Sequence, residues 1–196
     1  PYNGKIQDGY MYTDNGFWDT FRAVHPLFTL LYPEVSERVT QSILNAYDES
    51  GFMPEWASPG HRECMIGNNS ISLLTDAWMK GIRTICPEKA LEAMIHQTEA
   101  RHPGISSVGR DGFGYYDRLG YVPYPEVHEA TAKTLEYAYA DWCVARFADS
   151  IGRKEIADTY YRKALNYRNL YYPDYGFMWA KDANGKWRDA FDATEW

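Results

Sequence analysis

The chain has 196 residues, long enough to bury a sizeable core and short enough that one domain is expected. A formal net charge of −7 argues against nucleic acid or an anionic membrane as partner, and no run of about eighteen apolar residues is present to span a bilayer. Aromatics reach 16 %, driven by 7 Trp and 17 Tyr, a surplus that suits a large aromatic core or flat-faced ligands such as sugars.

In chain order, residues 20–31 (TFRAVHPLFTLL) carry apolar side chains at helical spacing, with Asp19 or Thr20 placed to cap them and Pro26 to kink or shorten the helix. Pro33 stops it, and residues 34–48 form a second helix that Gly51 ends. Residues 69–80 (NSISLLTDAWMK) are a third, with Ile71, Leu74, Ala77 and Trp78 on one face. A fourth runs over 87–101, a fifth over 126–150 and a sixth over 154–170. Only GFMWAKDANGKWRD looks like a hairpin, turning at Asn184-Gly185. The fold class is mainly α with one short β-hairpin near the C-terminus. Cys64, Cys86 and Cys143 all fall in helical patterns without metal-like spacing, so free buried thiols are expected.

Gly-Phe recurs at 16–17, 51–52, 112–113 and 176–177, where a glycine allows a left-handed exit from helix to loop. The stretch YYRKALNYRNLYYPDYG resembles the end of a tetratricopeptide repeat, but the steady period near 34 residues that such an array needs is missing. Three loops combine carboxylate, arginine and aromatic residues. The first holds Asp14, Trp18, Asp19 and Arg22; the second Glu55, Trp56, His61, Arg62 and Glu63; the third Arg110, Asp111, Tyr115, Tyr116, Asp117, Arg118, Tyr121, His128 and Glu129. Sugar binding uses that combination: carboxylates and Arg bond vicinal hydroxyls while an aromatic face covers the C–H side of the ring. Each feature also has a plainer reading. An Asp before a helix is commonly a cap, and Arg-Asp neighbours are commonly solvated ion pairs. His25 and His128, without a partner at metal spacing, read as structural, and Asn68-Asn69-Ser70 reads as a cap rather than a glycosylation site. Neither a glycine-rich phosphate loop nor a nucleophile elbow occurs.

Three strings narrow the reading: DNGFWDTFRAVHPLFTLLYPE, CMIGNNSISLLTDAWMKGIR and GYVPYPEVHEATAKTLEYAYADWCVARFA. They run in order over most of the chain, and together they resemble glycoside hydrolase family 92, the bacterial exo-acting α-mannosidases. The resemblance implies an (α/α)6 toroid of antiparallel helix pairs, preceded by a β-sandwich domain. It also implies inversion at the anomeric carbon, a calcium ion, and a secreted, periplasmic or cell-surface location. Six predicted helices against about twelve in a toroid make residues 1–196 a partial catalytic domain, with the β-sandwich and the rest of the toroid outside this chain. Pro1 without Met or leader, and the ending DATEW, fit that expectation. The family's acid lies in a Thr-Glu-Gly-Asn-type segment that does not occur before Trp196. Acid and base are therefore expected beyond Trp196, with Glu195 unassigned, most calcium ligands elsewhere, and no mannosidase activity in this chain alone.

By resemblance, Trp18 and Asp19 belong to the pocket for a terminal mannose, Asp19 accepting bonds from ring hydroxyls and Arg22 holding Asp19 in place. Arg62, Asp111 and Tyr115 are further substrate-binding candidates. His61-Arg62-Glu63 departs from the family pattern before CMIG, which leaves the α-1,2 linkage open to change. A trehalase- or glucoamylase-like toroid and a non-catalytic carbohydrate-binding helical scaffold are the alternatives. The toroid further predicts that the Gly-Phe loops at 16, 51 and 112 share one rim. Trp18, Asp19, Arg62 and Tyr115 should converge there on a concave surface, with the 184–185 hairpin nearby and Trp179 and Trp187 packed across its strands.

Overall fold

A computed structural model describes residues 5–189, and they are mainly helical. Strand β1 (Asn15–Gly16) leads into α1 (Phe17–Thr20) and α2 (Val24–Leu31), followed by α3 (Pro33–Ser50). Strand β2 (Trp56–Ala57) precedes α4 (Asn69–Met79) and α5 (Pro87–Glu99). Then come α6 (Phe113–Leu119), α7 (Ala130–Ser150), α8 (Lys154–Lys163), a 3-10 turn over Asn166–Leu170, and strands β3 (Tyr171–Tyr172) and β4 (Phe177–Met178).

Helices α4 and α7 make the centre. Ile71, Leu74, Ala77 and Trp78 meet Ala140, Cys143, Val144 and Phe147, and the Trp78 and Phe147 rings lie 5.2 Å apart. The alanines of α7 let α8 pack closely against it, through Ala157 and Tyr160. Each large apolar side chain sealed here contributes about 1.5–3 kcal/mol. The α3 face of Val39, Ile43 and Leu44 and the α5 face of Ala90, Leu91 and Met94 close the same core.

Several local expectations need correction. The helix expected over 20–31 is broken at 21–23 into α1 and α2. Neither Asp19 nor Thr20 caps α2, whose first flanking residue is Ala23; the Thr20 hydroxyl instead bonds Gly16 O and Asn15 Oδ1. Pro26 does no damage, because it lies in the first turn of α2, where backbone N–H groups have no intrahelical partner. Helix α6 lies inside the stretch expected to be loop, bounded by the left-handed Gly112 and Gly120. Helix α7 starts at Ala130 rather than 126, because Glu129 has φ 55°. The span 154–170 divides into α8 and the 3-10 turn. Of the three free cysteines only Cys143 is buried; Cys86 is exposed at the start of α5, and Cys64 is half-buried in a loop. Gly51, Gly112 and Gly176 have the expected positive φ, but Gly16 is extended. Gly16 is needed for a different reason: a Cβ there would lie 2.4 Å from the Trp56 ring.

The ends of the helices meet at one rim. Glu55 touches both the start of α4 and the end of α5, Ser50 at the end of α3 bonds His61, and Tyr116 of α6 reaches Lys163 O at the end of α8. The loops at Gly16, Gly51 and Gly112 therefore share that end, as expected. β1 pairs antiparallel with β2 there, and Asn68 Nδ2 bonds Gly109 O at 3.0 Å. The expected hairpin forms, with Lys181 bridged to Trp187 and Gly185 N donating to Asp182 O, and a second, β3–β4, precedes it. Tyr121 OH ties the first of these to the rim through Asp182 O. Trp187 stacks on Tyr172 at 4.7 Å, while the Trp179 indole N–H crosses to Arg188 O. Glu195 and Trp196 lie outside the described residues.

Candidate functional site

Under the rim lies a sealed polar knot. Arg110 is 1 % exposed, and its guanidinium donates to Asn68 Oδ1 at 2.8 Å and Tyr137 O at 3.1 Å while pairing with Asp141 at 2.8 Å. Tyr116 OH donates to the second Asp141 oxygen at 2.8 Å. Arg110 thus pairs not with its neighbour Asp111 but with Asp141, 31 positions away and out of water. Asn68 is likewise no cap: its amide is spent on Gly109 and Arg110. The α4 N-terminus is closed by buried Glu55, which accepts from Asn69 N at 2.7 Å, Ser70 N at 3.3 Å and Ser70 Oγ at 3.0 Å. Burial raises the Glu55 carboxyl above its ordinary range, and these donors oppose that rise.

Two clefts open above the knot, with Asp111 in the wall of both. The first, about 380 Å³, runs between the Cys64–Gly67 stretch and the start of α7 at Glu129 and Lys133. Met65 and Glu129, two of the described non-glycine residues with left-handed backbone, line it. Such conformations persist only where surrounding structure fixes them, and they gather at functional sites. The second cleft, about 490 Å³, is lined by Arg101, Gly112, Tyr115 and Arg118. The Asp111 carboxylate bridges Arg101 at 3.2 Å and Lys133 at 3.1 Å, and Tyr137 OH bonds its carbonyl.

The predicted site residues divide into groups. Asp111 and Tyr115 meet at the second cleft, where Tyr115 lies under the Arg118 guanidinium. Trp18 is half-buried on α1, with its indole N–H on Glu136 Oε1 at 3.2 Å, and Asp19 beside it is exposed. Arg22 does not hold Asp19. Its guanidinium stacks 4.2 Å from the Trp18 ring, pairs with Glu136 at 3.7 Å and bonds Trp18 O, because the helical turn brings residue 22 back over residue 18. Arg62 is exposed and turned back onto Ser58 O, although its own carbonyl accepts from Ser107 beside the first cleft. Neither cleft is lined by Trp18, Asp19 or Arg62, so the four expected residues do not converge on one of these surfaces. His25 is buried and structural, edge-on to Phe17 and Phe28, whereas His128 is exposed at the first cleft rather than packed.

Sequence reasoning missed Lys133 and Glu136. Both lie in the first turns of α7 within the AKTLEYAY stretch, three residues apart and so on one helix face, which was the available signal. Among the described residues no three His, Cys, Asp or Glu side chains converge as metal ligands, and Asp111 is already committed to two cations. That donor set does not fit calcium, which takes six to eight oxygens.

The whole chain, residues 1–196, matches the model of the glycosyl hydrolase family 92 catalytic domain. It belongs to that family. The solved structure of a family 92 inverting mannosidase from Bacteroides thetaiotaomicron VPI-5482 is 82 % identical, superposes with a TM-score of 0.98, and is matched over 100 % of this chain and 27 % of its own. A second family 92 α-mannosidase of Bacteroides thetaiotaomicron, solved with mannoimidazole, is 34 % identical with a TM-score of 0.86, over 96 % of this chain and 24 % of its own. An uncharacterized secreted glycosidase of Arthroderma benhamiae is 25 % identical over 74 % of this chain and 21 % of its own. The chain thus spans about a quarter of the length of these relatives, and no described helix is long and apolar enough to cross a membrane.

Proposed function

We propose that this chain is part of the catalytic domain of an inverting exo-α-mannosidase acting on terminal α-mannosides of mannan or N-glycans, α-1,2 linkages first. The observation that carries the reading is the end-to-end match to the inverting mannosidase at 82 % identity. The shared rim of loops supports an (α/α)6 toroid completed by segments outside these residues, with a β-sandwich domain preceding it. Trp18 supplies an aromatic face and exposed Asp19 a carboxylate for the hydroxyls of the terminal mannose, while Asp111, Tyr115 and Arg62 act farther along the glycan. Inverting hydrolysis takes one carboxylic acid to protonate the leaving oxygen and one carboxylate to activate water on the opposite ring face. Asp111, bound to Arg101 and Lys133, is free for neither task, so both groups are assigned to other parts of the domain. Calcium, implied by the family, is likewise assigned ligands outside the described residues. Secretion fits the relative from Arthroderma benhamiae.

The test is proton NMR of full-length protein mixed with α-1,2-mannobiose. β-Mannose is expected to appear first and then to mutarotate, and the 196-residue chain alone is expected to release none. Initial α-mannose would overturn inversion, and no mannose from any α-mannoside would overturn the function.

A further inference from the structure

The corner between α1 and α7 contains a carboxylate that the proposed function does not use. Glu136 comes from α7, 118 residues from Trp18, yet its Oε1 accepts the Trp18 indole N–H at 3.2 Å. The same oxygen faces the Arg22 guanidinium at 3.7 Å, and that guanidinium lies over the indole with its central carbon 4.2 Å from the ring centroid. Arg22 is tied back in turn by its Nε to Trp18 O at 3.1 Å. The second oxygen, Oε2, faces Gly67 at the end of the Cys64–Gly67 loop. A Cβ on Gly67 would lie 3.0 Å from it, and Gly67 has φ +92°, so the close approach exists because this position carries no side chain. Gly67 also lines the first cleft. The Glu136 side chain is 19 % exposed, against 47 % for Arg22, so one end of the pair is shielded and the other wet. Burial raises the Glu136 carboxyl, and Trp18 and Arg22 oppose that rise by favouring its ionised form.

We propose that Glu136 is a positioning residue: it fixes the plane of the Trp18 indole, with Arg22 clamped on one face, and locks both to the Gly67 wall of the first cleft. An indole has one N–H, so a single acceptor sets the rotation of the ring about its side-chain bonds. With Glu136 in place, one ring face is covered by guanidinium and the other stays available to a sugar. Without it, the ring and Arg22 can turn together, and the wall at Gly67 loses its backing. The inference rests on the reading of Trp18 as a mannose-facing aromatic, but the geometry of the corner stands without it.

The experiment uses full-length protein with three variants: Glu136→Gln, Glu136→Ala and Trp18→Phe. Glu136→Gln keeps an oxygen for the indole N–H and loses the charge facing Arg22; Glu136→Ala loses both. Trp18→Phe keeps an aromatic ring without the N–H. On α-mannobiose, Glu136→Ala should raise KM about tenfold and lower kcat less than threefold, with Glu136→Gln recovering most of the loss. In the Trp18→Phe background, Glu136→Gln should add nothing. Separately, 5-fluorotryptophan labelling should show one sharp fluorine resonance for Trp18 that broadens or shifts in Glu136→Ala and is restored toward wild type in Glu136→Gln. An unchanged fluorine signal in both Glu136 variants overturns the positioning role, whatever the activity. If Glu136→Ala does not fold, Glu136→Gln decides: a wild-type KM together with a wild-type resonance overturns the proposal. A shifted resonance in a protein that hydrolyses no mannoside upholds the positioning of Trp18 and overturns only its assignment to mannose.

Discussion

Below the rim, the Arg110 guanidinium is enclosed by Asn68, Tyr137 and Asp141; one residue later, the Asp111 carboxylate sits between Arg101 and Lys133 with 21 % of its side chain open. The first pair has no water to fall back on. Its strength depends on each partner being present, because a lone buried charge keeps its desolvation penalty with nothing to offset it. The second arrangement faces a cleft, where water screens the Arg101 contact and only Lys133 is shielded, so stability depends less on it. Charges in the enclosed region hold the helices together, and charges at the cleft are available to a ligand.

The sharpest way to break that contrast is Asp141→Asn, which strands Arg110. It should remove about 3–5 kcal/mol from urea unfolding followed by circular dichroism. A loss below about 1 kcal/mol would mean that water reaches the knot.

Buried imidazoles extend the enclosed region. Burial lowers His25 and His61 from 6.5 to about 4, with His102 adding to the effect at His61. Below pH 6.5 the unfolded chain takes protons that the native chain refuses, so the contribution of these two histidines should be flat above 6.5 and fall toward pH 4. Glu55 contributes with the opposite sign, because its raised carboxyl favours the native chain as pH falls. The loss is on the order of 3 kcal/mol for each histidine. Urea midpoints at several pH values measure the slope, and His61→Gln should remove one histidine's share of it.

At the cleft end, Asp19→Ala should leave unfolding within about 0.5 kcal/mol. Affinity for a terminal mannoside should weaken by about 1.5–3 kcal/mol, the worth of a charged hydrogen bond. A destabilised variant with normal turnover would return Asp19 to the role of a helix-end charge. Asp111→Asn, which keeps an oxygen for Lys133 at the cleft, should cost about 1 kcal/mol in the same unfolding assay, between Asp19→Ala and Asp141→Asn. If it rivals Asp141→Asn, the two regions do not differ as described.

Local pattern carried the long helices into view. Helix α4 could be read from Ile71, Leu74, Ala77 and Trp78, and the hairpin turn from Asn184-Gly185. Helix α6 could not, because FGYYDRL is seven residues between two glycines and its signal is aromatic rather than periodic. At the site, the family strings point to Trp18 and Asp19 and the composition of the third loop to Asp111, but the partners of these residues are invisible in the sequence. Arg110 finds Asp141 across 31 positions and Trp18 finds Glu136 across 118, and no spacing rule relates residues that meet only after α7 has docked. Arg22 was assigned to Asp19 because the two are close in sequence, although one helical turn places its guanidinium over residue 18.

Helix α4 has no cap of its own, and Glu55, 14 residues upstream, receives its first amides. Its opening turn is therefore held by the segment around Trp56 rather than by a capping side chain of its own. That segment is in turn held by β1 and by Phe17 N on Glu55 O at 3.1 Å. The central helix and the first two rim loops are thus tied into one unit. The amide protons of Asn69 and Ser70 then exchange with solvent only as fast as the Glu55 loop lifts away, a sub-global opening rather than the fraying of a helix end.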